Sequence, residues 1–197
     1  MAGALILAAG EAKRAGGPKV TWPFDGLPSI RRVALAALAA EEVSETVAVL
    51  GGPWADQAAR ALDGLAVKIV YNNDYAQGQS TSLKAGLAGF DPALRTVIFL
   101  LADQPFLASQ IIDGLLRFHE ELSAPISAPV LNGRRLNPVV FDLGRFRSEL
   151  TALKGDKGGR EIIGRHQDEL ALWPAGDIDP KCFADFDTVE EYERLKQ

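Results

Sequence analysis

A run of small residues and glycines, Leu7-Ala8-Ala9-Gly10-Glu11-Ala12-Lys13-Arg14-Ala15-Gly16-Gly17-Pro18-Lys19, brings Arg14 and Lys19 into one segment. Small residues let backbone N–H groups approach a ligand closely, and successive N–H groups form an anion-binding nest. Arg14 and Lys19 add charge that suits a polyphosphate. The same composition also describes an ordinary strand-to-helix turn with solvated charges. Two familiar phosphate loops are excluded by spacing. No GxGxxG follows the first apolar run, and Lys19 lies between Pro18 and Val20 rather than in GxxxxGK[ST].

Four further segments carry usable groups. Asn72 to Leu83 (NNDYAQGQSTSL) is rich in amides and hydroxyls that can read a base edge or a ribose, and Ser80 or Thr81 can equally cap a helix. Asp103, in Leu100-Leu101-Ala102-Asp103-Gln104-Pro105, offers hard oxygen ligands for Mg²⁺, which takes one or two carboxylates plus substrate phosphates; the alternative is a carboxylate capping the next helix. Arg134, Arg135 and Asn137 share a turn-like stretch that could hold a phosphorylated second substrate or be a solvated hairpin tip. Lys154 to Arg160 is either an anion site at a helix start or a loop capped by Asp156.

The elements that must position these groups follow from periodicity. Short apolar runs at 4–8, 46–50, 67–71 and 96–101 read as buried strands. Helical patterns at 29–40, capped by Ser29, and at 53–62, 81–90 and 109–122 alternate with them, the third weakened by Gly86 and Gly89. Such alternation over short connections predicts a parallel sheet with helices on both faces. Ligands then bind beyond the carboxyl ends of the strands, after Leu7, Tyr71 and Leu101. The second half predicts strands at 126–129 and 138–141 around Asn132-Gly133-Arg134-Arg135, helices at 143–153 and 157–166, a strand at 169–173 and a last helix at 188–196. No repeat or long linker divides the chain, so residues 1–197 read as one domain.

Composition narrows the function classes. With 197 residues, 47% of them apolar and 24% charged, the chain is neither disordered nor too small to bury a core. A formal net charge of −5 argues against a nucleic-acid partner, which needs a basic footprint. The single cysteine, Cys182, excludes an intrachain disulfide, and there is no Cys/His cluster for zinc; His119 and His166 read as packing or surface residues. The apolar start lacks a basic n-region and stops at Glu11, so it is not a signal peptide, and Val33 to Ala40 is too short to span a bilayer. No membrane partner is expected and a cytoplasmic location is.

Taken together, the segments resemble the molybdenum cofactor cytidylyltransferase-like (MobA-like NTP transferase) family. Its signature, LAAGxSxRxGxxK, appears as Leu7-Ala8-Ala9-Gly10 with Arg14, Gly16 and Lys19 at the family spacing, Ala12 replacing the serine. Asn72, Gly78, Ser82-Leu83 and Gly86-Leu87 match the second loop, and Ala102-Asp103-Gln104-Pro105 matches the metal-binding corner. Asn137-Pro138-Val139, Gly155-Asp156-Lys157-Gly158 and Asp185-Phe186-Asp187-Thr188 match later elements. The resemblance runs in order over nearly the whole chain. Leu-Ala-Ala-Gly is the cytidylyltransferase form, guanylyltransferase relatives having Leu-Ala-Gly-Gly; the Ala9 methyl would narrow the pocket toward a pyrimidine.

The resemblance implies a Rossmann-like nucleotide-diphospho-sugar transferase fold: three layers, a mostly parallel sheet flanked by helices, and a small β-insertion in the second half. It implies a nucleotidyltransferase that moves CMP from CTP to the pterin-type, phosphorylated molybdopterin form of the molybdenum cofactor, releasing pyrophosphate. An apo-molybdoenzyme is the implied recipient. Arg14, Lys19 and Asp103 would be catalytic, Asp103 holding Mg²⁺ or Mn²⁺. Leu7, Ala8, Ala9, Gly10, Asn72, Gly78 and Ser82 would line the nucleotide site, with Gly10 and its neighbours donating N–H groups to the triphosphate. Arg134, Arg135 and Asn137 would face the acceptor, and Asp187 would either complete the metal site or pin the last helix to the sheet. The alternatives are transfer from GTP, transfer to a sugar or lipid-precursor phosphate, and a non-catalytic chaperone of the cofactor.

Overall fold

The computed structural model describes residues 1–12 and 14–197; Lys13, part of the glycine-rich loop, lies outside the described residues. In chain order the elements are β1 (Ala2–Ala9), β2 (Pro23–Phe24), β3 (Leu27–Pro28), α1 (Ser29–Ala39), β4 (Val43–Gly51), α2 (Ala55–Ala61), β5 (Lys68–Tyr71), α3 (Gln79–Ala88), β6 (Thr96–Leu101), α4 (Ser109–Glu121), β7 (Ile126–Leu131), β8 (Arg134–Arg135), β9 (Val139–Asp142), α5 (Leu143–Ala152), α6 (Gly159–Arg165), β10 (Leu170–Pro174) and α7 (Val189–Lys196). The main sheet runs β10-β7-β9-β6-β1-β4-β5, with β8 paired to β7. β1 lies between β4 and β6 and is parallel to both. β9 is antiparallel to both its neighbours, β6 and β7, so the sheet is mostly parallel.

The central strands are apolar throughout because both faces are covered. Ala4, Ile6, Ala48, Leu50, Ile98 and Leu100 face one way, against Ile30, Val33 and Ala37 of α1 and Ile112, Leu115 and Leu116 of α4. Leu5, Val47, Val49, Val97 and Phe99 face the other, against Leu83 and Leu87 of α3, Phe146 and Leu150 of α5 and Ile162 of α6. Each such Val, Leu, Ile or Phe side chain taken fully out of water contributes about 1.5–3 kcal/mol before chain entropy is subtracted. Gly86, a poor helix former, has a packing reason. A Cβ there would lie 2.4 Å from Leu5 Cδ1, so its absence lets α3 settle close on the sheet.

The predicted elements of both halves form, with two differences of detail. The turn at Asn132 and Gly133, with φ of 50° and 73°, joins β7 to the short β8 rather than directly to β9. The chain then returns as β9, which lies between β7 and β6. Ser29 does not cap α1. Pro28 takes the N-cap position, and the fully buried Ser29 hydroxyl donates to the Ala102 carbonyl at 2.6 Å. A buried acceptor beside β6 offered a better partner than the helix's own N–H groups.

The chain moves outward from β1 through β4 to β5, then crosses back to β6 on the other side of β1. The loops leaving β1 and β6 therefore diverge and leave a crevice at the carboxyl edge, where open α/β sheets bind ligands.

Candidate active site

That crevice is a cleft of about 810 Å³. The end of β1 supplies Leu7, Ala8 and Ala9, and the loop after it Gly10, Arg14 and Lys19; the β6 corner supplies Asp103; the start of α3 supplies Gly78 and Ser82. Trp54, Asp156 and Asp187 complete the wall. Lys19 sits at its centre. Its ammonium donates to Asp103 Oδ2 at 2.7 Å, to Asp187 Oδ1 at 2.7 Å and to the Phe186 carbonyl at 3.2 Å. Arg14 reaches Asp187 Oδ2 at 2.9 Å from a side chain that is 74% exposed.

Each of these groups is held by local structure. Lys19 begins a 3₁₀ turn, 19–21, with its N–H on the Gly17 carbonyl at 2.8 Å. The corner carrying Asp103 is tied to β1 by Ala102 N–H to Leu7 O at 3.3 Å, and to α1 by Ser29. Gln104 Nε2 donates to Phe183 O at 2.8 Å and so ties the same corner to the C-terminal segment. Asp187 is held by the Glu191 carboxylate, which accepts from the Asp187 N–H at 2.7 Å and the Thr188 N–H at 3.2 Å, within a capping box that starts α7. Beneath them Trp22, Phe24, Phe186 and Tyr192 form an aromatic cluster, and the Tyr192 hydroxyl donates to Pro23 O at 2.8 Å.

The charges act on one another. Burial alone would depress the Lys19 ammonium, but Asp103 and then Asp187 outweigh it and raise its pKa above the ordinary 10.5. Burial pushes the Asp187 carboxyl up, yet Lys19 and Arg14 together bring it below its usual range. The nearby Asp185 goes the other way, raised first by burial and then by repulsion from Asp103. Asp103 Oδ1 is buried and has no hydrogen-bond partner. An unpartnered hard oxygen, with a second carboxylate across Lys19, fits one or two protein ligands to a divalent cation that takes its other ligands from phosphate and water. Among the described residues no group of three or more His, Cys, Asp or Glu could hold a metal by itself.

The second loop is organised from within. Asn72 is buried, and its amide donates to Thr81 Oγ1 at 2.9 Å and Ser82 Oγ at 3.0 Å while its carbonyl accepts from Asp74 N–H at 3.0 Å. It fixes Ser82 and lines an adjoining hollow of about 560 Å³ rather than the main cleft. Neither Ser80 nor Thr81 caps α3, whose N-cap is Gly78. The Asp156 carboxylate instead accepts from Gln79 N–H, at 3.4 Å, and Ser80 N–H reaches Gly155 O at 3.2 Å. Asp156 thus serves the start of α3 and does not cap α6, whose N-cap is Gly158. Gly78 has a φ of 110°, and a Cβ on it would lie 2.3 Å from the Gly155 carbonyl carbon. Gly10 lines the cleft with nothing within 4 Å of a Cβ position, but its N–H is committed to Gly51 O at 3.1 Å.

Arg134, Arg135 and Asn137 lie on β8 and the bend after it, outside the cleft lining. Asp187 has its backbone N–H at the start of α7 and its side chain in the ionic cluster, across Lys19 from Asp103. Trp54, in a loop after β4, was not anticipated at all; its buried indole N–H has no hydrogen-bond partner.

Residues 4–170 match the family model described as MobA-like NTP transferase domain. No curated protein matches the chain by sequence. Among solved structures, a homologue of Mycobacterium tuberculosis Rv0371c from Mycobacterium sp. strain JC1 superposes with a TM-score of 0.82 at 25% identity, over 99% of this chain and 94% of that one. Mth528, a nucleotidyl transferase from Methanothermobacter, superposes at 0.81 with 22% identity, over 100% and 96% of the two chains. Rv0371c of Mycobacterium tuberculosis H37Rv, solved as a complex with manganese, gives 0.76 at 24% identity over 98% and 96%.

Proposed function

The chain belongs to the MobA-like NTP transferase domain family, and on that premise we propose that it transfers CMP from CTP to the molybdopterin form of the molybdenum cofactor, residues 1–197 acting as one transferase domain. The observation that carries the reading is Lys19 held between Asp103 and Asp187, each at 2.7 Å, in the crevice where the β1 and β6 loops part.

In the reaction an acceptor phosphate oxygen attacks the α-phosphorus of CTP. The α–β P–O bond breaks, and pyrophosphate takes its electron pair. Such transfer needs in-line positioning and charge neutralisation more than covalent help. Arg14 and Lys19 offset the charge that builds on the leaving pyrophosphate. Asp103, with Asp187, would hold Mg²⁺ or Mn²⁺, which neutralises charge on phosphate oxygens when bound. Leu7, Ala8, Ala9, Gly10, Gly78 and Ser82 receive the nucleoside, Asn72 setting the Ser82 hydroxyl. The Ala9 methyl favours the smaller pyrimidine.

Arg135 and Arg160 support an anionic acceptor. Burial and then the neighbouring Arg160 charge lower the Arg135 pKa, and neither guanidinium has an acidic partner among the described residues. Arg134 and Asn137 flank them. Among the described residues no helix is long and apolar enough to cross a membrane.

The test is pyrophosphate release with Mg²⁺, the cofactor and either CTP or GTP. Release with CTP supports the proposal. Preference for GTP moves the chain to the guanylyl branch. Tight cofactor binding with no release from any triphosphate leaves a carrier and refutes transfer.

A further inference from the structure

Four formal charges are joined by ion pairs in the cleft: Lys19 and Arg14 positive, Asp103 and Asp187 negative. Both carboxylates are thus already engaged by a cation, and a free divalent ion has to displace the Lys19 ammonium to reach them. The Lys19 side chain is 16% exposed and that of Asp103 18%, so the pair is partly shielded from solvent. Low-dielectric surroundings strengthen such contacts and raise the cost of separating them without a replacement. The Lys19 ammonium also spends a third donor on Phe186 O at 3.2 Å. An ammonium has three N–H groups, so every one is committed in this state.

From this geometry we infer that Lys19 is a resident stand-in for the divalent cation, and that the metal enters as a complex with the nucleotide rather than ahead of it. A metal–triphosphate complex brings both halves of the exchange. The divalent ion takes over Asp103 and Asp187, and the phosphate oxygens give Lys19 a new counter-charge as it withdraws. Free metal brings only the first half and would strand a partly buried ammonium. Entry as a complex rests on the transferase reading; the occupation of the cation position by Lys19 does not.

Mn²⁺ binding without nucleotide, read from the loss of the free-ion electron paramagnetic resonance signal, separates the two. Lys19→Met keeps the length of the side chain and removes the charge. It should bind Mn²⁺ at least about tenfold more tightly than the wild type, about 1.4 kcal/mol, although it loses activity. Lys19→Arg, which keeps the charge, should bind as weakly as the wild type. Lys19→Met with Asp103→Asn should lose the gain. Unchanged or weaker binding by Lys19→Met overturns the inference, as does a gain that survives Asp103→Asn. Lys19→Gln replaces Lys19→Met if near-ultraviolet circular dichroism shows the latter unfolded. In the wild type, the Mn²⁺ retained with the protein in equilibrium dialysis, where the free CTP complex is equal on both sides, should rise at least about tenfold when CTP is added; no gain, with CTP binding shown by thermal shift, overturns entry as a complex. If no triphosphate binds while Lys19→Met still gains Mn²⁺ affinity, the transferase reading and its entry step fall, and Lys19 as stand-in stands.

Discussion

Replacing Asp103 by Asn tests the site with the least change of shape. Asp103 Oδ2 accepts from Lys19 at 2.7 Å, and Oδ1 is buried without a partner. The amide keeps the volume and removes the charge. Lys19 retains Asp187, so the folded state loses one charge-assisted hydrogen bond, about 1.5–3 kcal/mol. At about 2–4 °C per kcal/mol for a chain of this size, the melting temperature should fall by roughly 3–12 °C. Turnover should fall further in proportion. Removing one preorganised electrostatic group costs about 10²–10³ in kcat, or about 2.7–4 kcal/mol of transition-state stabilisation. Melting by circular dichroism and pyrophosphate release at saturating nucleotide read the two effects separately. Arg117→Ala is the control: Arg117 lies on the outer face of α4, bonded to Glu41 and Glu42, and should leave activity unaltered. Asp103→Asn with turnover within about threefold of the wild type would refute the assignment of Asp103, whatever its melting temperature.

Three other perturbations probe the supports of the site. Ser29→Ala leaves the Ala102 carbonyl without its 2.6 Å partner and should cost about 1–3 kcal/mol, seen as a lower midpoint in urea with an unchanged slope. Gly78→Ala places a methyl 2.3 Å from a backbone carbon at a φ of 110°, so it should weaken nucleotide binding at least about tenfold in thermal-shift titrations; unaltered affinity would mean that the Gly155 loop moves freely. His119 is buried, its Nδ1 2.9 Å from Ser127 Oγ, and burial lowers its pKa from 6.5. The unfolded chain then binds the proton more readily, so the stability this histidine contributes is present above pH about 6.5 and is lost as pH falls through the lower folded value. His119→Gln should flatten that part of the stability–pH curve between pH 7.5 and 5.

The sheet was legible because its strands are buried on both faces. Thr96–Leu101 needs no context to read as a strand, and the structure begins and ends it at those residues. What sequence could not convey were preferences decided across the fold. Ser29 has every local reason to cap α1, and a carbonyl 73 positions away takes its hydroxyl instead. Gly86 reads as a weakness until Leu5 is seen beneath it. Lys19 and Asp103 could be paired from their motifs, but Asp187 stands 168 positions from Lys19 and read as either a metal ligand or a pin for the last helix. It is both: the main chain caps, and the side chain joins the cluster.

The placement of Asp187 separates the fold from the ionic cluster. The family match ends at residue 170, and the last strand of the sheet ends at Pro174, both before Asp187. A protease that nicked the chain between that strand and Asp187 would spare every strand and the helices packed on both faces. It would cut the covalent tether of the residue that closes the ion network, leaving the aromatic cluster and the Gln104 contact to hold it. On the ribosome the same order applies: Lys19 and Asp103 emerge before Asp187, and the charge cluster closes only when that residue arrives.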